Sequence, residues 1–402
     1  MFPLCIYSQT YFNNRYDIGG DDFPDYASTI IFNNDSYILG GESWLYYEHD
    51  RITLAILNLD GELQAVKHFE NPDVIYGAGY PGFITKSISD GFWLAGLKRS
   101  AYPGWIRDNG LLMRLDKNCD SLWTREYGDM VEPCDTEVIF RQIHTLKNGQ
   151  LSVLGGVMDY TAQRPFFYLL HLDSLGNKLW ENFYGQIPYY YFPYSMACTS
   201  DKGYILGGVG IFDNNALTDP ILIKTDSVGN EEWFLNLGSE FRDDQSIVDT
   251  TADGYIIAGA PVADSAINNE YSYRRINYIK LDNSGNVIWN KKYGKSNLDT
   301  DIWSLKSLPD GRIISTGSRL TDYPACPDIV SWIFCINSSG DSLWYREYTL
   351  LDAEYSVNTL YDISPAADNG FIACGYVVPA WPDTGSQDTW VLKVDSIGCE
   401  SL

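Results

Sequence analysis

Four histidines, His49, His68, His144 and His171, are the only imidazoles in 402 residues, and no two stand at metal-ligand spacing. The helical zinc signature His-Glu-x-x-His is missing. So are the nucleophile elbow Gly-x-Ser-x-Gly and the Asp-rich calcium loop. A Tyr-Gly-Lys-Ser run at 293–296 has the end of a phosphate-binding loop, but Trp289 stands where the earlier glycine must be, and no helical pattern follows. No cofactor or metal is therefore expected, and calcium in the acidic loops has no motif behind it. Two kinds of residue remain that could do chemistry. Carboxylates are abundant, and a pair across a channel mouth could act as general acid and base on a glycosidic bond. Aromatics crowd five segments, 43–50, 100–108, 186–194, 268–275 and 378–385. Their candidate binding residues are Trp44, Tyr46, Tyr102, Trp105, Tyr189, Tyr190, Tyr191, Tyr271, Tyr273 and Trp381, because Tyr and Trp give rigid contact area with a polar tip.

The elements that position these groups repeat. A tight turn, a short apolar strand and a closing glycine recur at Gly41, Gly96, Gly156, Gly208, Gly259, Gly317 and Gly375. About 50 residues with several strands per copy is the period of propeller blades. Each copy continues into a turn of the type Asp-Ser-x-Gly-Asn and then a Trp, as at Trp123, Trp180, Trp233, Trp289 and Trp344, with Ala65 in the first copy. The turn residues suit a tight loop capped by Asp or Asn. The Trp is expected to fill space between neighbouring copies. In the fifth copy the pattern predicts strands at 245–251, 255–260, 277–281 and 287–293. No segment shows sustained helical periodicity.

The fold expected is all-β: a seven-bladed β-propeller over 9–402, with four antiparallel strands per blade. The last copy lacks its fourth strand, and 11–16 supplies one, with Phe12 in the Trp register and Tyr16 in the Tyr register. The last blade is thus expected to be closed by the N-terminal strand, which removes open sheet edges. Lys86, His144, Asp249 and Lys306 are expected to line the central channel. In a propeller two sets of loops share one face, and here they are the long aromatic ones.

Composition narrows the role. A formal charge of −25 argues against nucleic acid and anionic membrane surfaces, and no apolar run reaches the ~20 residues of a membrane span. Segment 1–8 is expected to be the remnant of a signal peptide, so the chain is expected to be secreted or at the cell surface, as a monomer. The cysteines suggest no disulfide framework; Cys119 and Cys399 are read as one turn position in different copies.

The repeats resemble the uncharacterised secreted β-propellers of Bacteroidota, whose units read roughly DGGYILAG…D-WLIKLDSxGNxxWxKxYGG. The likeness runs from Tyr11 to Leu402, and it implies export through the type IX secretion system, although no C-terminal sorting domain is visible. A weaker likeness links the Gly turn before Trp to quinoprotein dehydrogenases, which use an adjacent-cysteine pair that this chain lacks. The sialidase Asp-box is a near miss with a shorter turn. The leading expectation is a non-enzymatic binding or adhesion module that presents its aromatic loop face to a glycan or protein. The alternatives are a polysaccharide hydrolase or lyase at the channel mouth, and a structural domain of a larger cell-surface protein.

Overall fold

In the computed structural model the described residues exclude 1–9, 21–22, 45–49, 72, 103–104, 129–135, 160–163, 213–216, 240–242, 244, 260–264, 267–271, 295–298, 322–327 and 401–402; in 101–102, 105–106, 136, 265–266 and 272–273 the backbone alone is described. The leader expected at 1–8 lies outside them. All described secondary structure is β, and no helix is present among the described residues. In the fifth repeat the strands are Ile247–Thr251, Gly254–Ala258, Ile276–Asp282 and Val287–Tyr293, close to the bounds read from alternation and turn chemistry.

Four repeats form separate four-stranded antiparallel sheets in sequence order: 25–69, 136–184, 190–236 and 247–293. The second repeat makes a five-stranded sheet because its first strand is split into Val74–Ala78 and Ile84–Lys86, both paired with Phe92–Tyr102. The sixth repeat (300–348) and the last (357–394) are joined into one eight-stranded sheet by a single parallel bridge, Ile329 to Val357. The last repeat takes its outermost strand from the N-terminus, where Phe12–Tyr16 pairs antiparallel with Asp388–Val394.

The recurring turn is structural in every described copy. At 173–177 the Asp173 carboxylate accepts the backbone N–H groups of Leu175 and Asn177, each at 2.8 Å. Asp226, Asp282 and Asp395 repeat the arrangement. Gly176 then adopts φ +76°, a left-handed conformation in which a side chain is strained. A Cβ there would also come within 2.9 Å of Trp123, from the preceding repeat. Trp180 lies in the same way over Gly229, Trp233 over Gly285, Trp289 over Gly340 and Trp344 over Gly398. Tyr127, Tyr184, Tyr293 and Tyr348 donate their hydroxyls to the carbonyls of Gly176, Gly229, Gly340 and Gly398.

The N-terminal strand follows this pattern. Phe12 pairs with Lys393 just as Trp233 pairs with Lys224 and Trp289 with Lys280. Phe12 lies over Gly61, and Tyr16 donates to the Gly61 carbonyl at 2.6 Å. Phe12 and Tyr16 share one apolar cluster with Val391 and Ile372 on one side and Tyr37 and Leu39 on the other. One interface breaks the pattern at both partners. Ala65 holds the Trp position, paired with Ile56, and Cys119 holds the glycine position of the next turn, buried at φ +62°. The reading of Cys119 and Cys399 as one position is therefore corrected, since Cys399 follows Gly398. Cys119, Cys198, Cys335, Cys374 and Cys399 are free thiols.

A second recurring device sits on the third strand. Lys224 is fully buried, yet its ammonium meets Asp201 and Glu232, both at 2.8 Å. Lys280 pairs with Asp253, and Lys393 with Asp368. Each cation ties the third strand to the turn between the first and second strands of its own repeat, so the buried charge is compensated.

Candidate functional site

The innermost strands of five repeats carry a shared irregularity. The register with its neighbour slips by one residue between Ala27 and Thr29, Phe140 and Gln142, Pro193 and Ser195, Ile302 and Ser304, and Leu360 and Asp362. Such bulges re-aim side chains. The residue inside the bulge is Ser28, Arg141, Tyr194, Trp303 or Tyr361. The residue after it is polar in every case: Thr29, Gln142, Ser195, Ser304 or Asp362.

Those polar residues tie the innermost strands to one another. Gly82 N donates to Thr29 Oγ1 at 3.1 Å, and Ile143 N donates to the Gly82 carbonyl at 3.0 Å. Met196 N donates to Gln142 Oε1 at 2.7 Å, and Val248 N to Ser195 Oγ at 3.0 Å. Ser307 N reaches Asp249 Oδ2 at 2.7 Å. Asp362 receives Ser304 Oγ from the sixth repeat at 2.7 Å and Ile30 N from the first at 3.1 Å. Contacts run between every neighbouring pair of these strands, including Asp25–Asn33 with Val357–Pro365. A buried carboxylate such as Asp362 is tolerable because donors surround it.

The strands enclose a cavity of about 260 Å³ lined by residues of all the repeats. His144, Asp249 and Lys306, expected at the channel from sequence, are in its lining; Lys86 is not. The Lys86 ammonium instead lies 5.8 Å over the Phe32 ring. Burial, with help from the Lys306 charge, pushes the His144 imidazole down to about 4, partly opposed by its bond to the Met196 backbone. Burial raises the Asp249 carboxyl, and the Ser307 backbone and Lys306 oppose that shift. Lys306 is 3.7 Å from Asp362. At neutral pH the His144 imidazole in the cavity is therefore neutral.

Above the polar belt, towards the ends where the innermost strands begin, aromatic rings form a roof. Tyr80 and Tyr194 stack with centroids 5.0 Å apart, although a whole repeat separates them in sequence. Arg141, from that intervening repeat, places its guanidinium 4.3 Å over Tyr80. On the opposite side Trp303 meets Tyr361 edge-on at 5.1 Å, and Tyr361 meets Tyr376 at 5.5 Å and Tyr26 at 6.0 Å. Tyr26 in turn touches Trp44 at 5.9 Å. Tyr26, Tyr80, Tyr194, Trp303, Tyr361 and Tyr376 are all half-buried, so each is anchored and keeps part of its surface open. Glu42 lies beside Tyr26 and accepts Ala78 N at 2.6 Å. Burial raises its carboxyl, against the bonds it receives from Ala78, Tyr26 and Trp44.

The aromatic segments expected to bind do not act as one face. Trp44 joins the roof. Tyr191 is 3% exposed and belongs to an apolar cluster, so its ring is a core residue, and Tyr189 packs on Phe212. Tyr190 lies under Arg164 and accepts its hydrogen bond at 2.6 Å. Trp381 is 88% exposed. Tyr46 and Tyr271 lie outside the described residues, as do the side chains of Tyr102, Trp105 and Tyr273. Sequence reading missed Tyr26, Tyr80, Trp303, Tyr361 and Tyr376. One signal was available: a bulky residue directly followed by a polar one in the first strand, as in Arg141-Gln142, Tyr194-Ser195, Trp303-Ser304 and Tyr361-Asp362.

No protein-family model matches the chain, and no curated protein matches it. Among solved structures it is similar to the acylaminoacyl peptidase of Pyrococcus horikoshii, with 11% identity and a TM-score of 0.49, over 95% of this chain and 54% of that one. A puromycin-hydrolyzing peptidase of Mycobacterium tuberculosis has 11% identity and a TM-score of 0.44, over 89% of this chain and 51% of that one. The β-propeller domain of the Trilobed protease from Pyrococcus furiosus has 11% identity and a TM-score of 0.48, over 92% and 93%. The chain spans about half the length of the two peptidases.

Proposed function

We propose that the chain is a seven-bladed β-propeller, secreted as its Bacteroidota-like repeats suggest, and that it is a non-enzymatic module binding a glycan on the aromatic roof. Two features support closure into a ring. The N-terminal strand follows the Trp and Tyr contacts of the other outermost strands, and the innermost strands are bonded in an unbroken circuit back to Asp362.

The observation that carries the binding reading is the roof itself. Half-buried rings of Tyr80, Tyr194 and Trp303, from three repeats, line one cavity, and Tyr361 and then Tyr26 extend the aromatic surface from Trp303 by ring contacts. Rings held by neighbours lose little entropy on binding, their faces suit the apolar faces of sugar rings, and their hydroxyls suit sugar hydroxyls. A glycan array probed with the wild type and with a Tyr194→Ala, Trp303→Ala double variant tests this. Binding lost in the folded variant supports it; an array silent to folded wild-type protein refutes the glycan reading and leaves a protein ligand.

A second reading, hydrolysis or elimination on a polysaccharide, has one observation in its favour. Glu42 is a carboxyl raised by burial at the roof, with Asp50 near enough to raise it further. Product release from a polysaccharide panel, abolished in Glu42→Gln, would establish that reading over simple binding.

A further inference from the structure

We infer that the ligand of the aromatic roof is an acidic glycan, one carrying uronate carboxylates, and that Arg141 receives the carboxylate; this rests on the roof being the binding face. The chain has 53 acids against 28 Lys and Arg, so a cation left without an anion is conspicuous. Arg15, Arg51, Arg99, Arg274, Arg312 and Arg319 each pair with a carboxylate. Arg114, Arg125, Arg164 and Arg346 donate to backbone carbonyls.

Arg141 does neither among the described residues; its guanidinium meets only the Tyr80 ring. The position is nevertheless built. Arg141 sits in a bulge of its strand, its carbonyl accepts the Tyr80 backbone N–H at 3.0 Å, and Tyr80 is backed by Tyr194. A guanidinium held over a ring face spends none of its N–H donors on a hydrogen bond there, and their fork matches the two oxygens of a carboxylate. Stacking also leaves the charge in place with little loss of side-chain freedom when a ligand arrives. Lys306 cannot serve in its stead, because Asp362 already holds it at 3.7 Å. An aromatic face with one fixed, uncompensated guanidinium at its edge is a site for a sugar ring bearing a carboxylate.

The test uses an array of matched pairs on the full chain: uronate-containing oligosaccharides, each beside the same oligosaccharide after carboxyl reduction. Wild-type protein is expected to bind at least one acidic member about tenfold or more tightly than its reduced partner, the scale of a charge-assisted pair. Arg141→Gln should bring that ratio close to one and still bind the reduced form, whereas Arg164→Gln, whose arginine stacks on Tyr190 away from the roof, should keep it. Equal binding of both members, or a preference that survives in Arg141→Gln, overturns the acidic assignment and leaves the roof reading intact. Binding to no pair, from protein with an unchanged melting temperature, overturns both.

Discussion

The hydroxyl of Tyr16 donates to the carbonyl of Gly61 at 2.6 Å, and Tyr184 makes the same bond to Gly229 at 2.6 Å. The first joins the N-terminal strand to the first repeat; the second joins two internal repeats. A single rule of packing therefore governs the junction of the last sheet, through its N-terminal strand, with the first repeat and the junctions between successive repeats.

Tyr16→Phe and Tyr184→Phe should each lower stability by about 1 kcal/mol, the value of a buried hydrogen bond whose acceptor is left unsatisfied. Phe12→Ala should cost about 3 kcal/mol, because it empties the space over Gly61. Removing 1–16 should do more than destabilise, since it bares the edge of Asp388–Val394 and should make the protein self-associate. Denaturant unfolding and light scattering check these in turn.

Gly176→Ala should cost about 2–3 kcal/mol, combining the strain of a side chain at φ +76° with displacement of Trp123. Gly20→Ala has the strain alone, at φ +72° with nothing within 4 Å, and should cost about 1 kcal/mol. A shift of equal size in thermal unfolding of the two variants would mean that the Trp over the turn contributes nothing.

His144 sets part of the acid sensitivity. Its folded value near 4 lies below that of a free imidazole, about 6.5. The unfolded chain therefore binds the proton first, and stability present above pH 6.5 is lost as pH falls towards 4, by up to about 3 kcal/mol. His68 and His171 are lowered as well, both chiefly by burial. His144→Gln should flatten, without abolishing, the slope of stability against pH between 4 and 6.5. An unchanged slope would place the wild-type sensitivity elsewhere.

Lys224→Met should destabilise by about 2 kcal/mol or more, because it leaves Asp201 and Glu232 facing each other without the cation they share. Lys178→Met breaks a surface ion pair with Glu181, the two side chains 51% and 31% exposed, and should cost under about 0.5 kcal/mol. Unfolding midpoints of the two variants give the comparison.

The repeat was legible because turn chemistry and alternation are local. Asp173, Gly176 and Trp180 announce a turn and the strand after it whatever surrounds them, and Phe12 and Tyr16 announce a strand of the same kind without a partner nearby. His144, Asp249 and Lys306 were legible as cavity residues for the same reason, since they sit where alternation is regular. The roof was not. Each bulge shifts the side-chain alternation by one residue, so Trp303 and Tyr361 turn out of the face that simple counting gives them. Tyr194 lies in a run of aromatics from which only the bulge at Pro193 and Ser195 singles it out. Arg141 needed the structure most: its role follows from Tyr80 and Tyr194, which belong to different repeats and meet only in the folded chain.

The central claim is that ligand sits on the roof and not on the wider loop face. Isothermal titration of the strongest-binding glycan into wild type, Trp303→Ala and Trp381→Ala tests it directly. Affinity should fall about tenfold or more in Trp303→Ala, the cost of a lost aromatic anchor, and stay unchanged in Trp381→Ala. Binding that survives Trp303→Ala and is lost in Trp381→Ala would contradict the account and move the site to the outer loops.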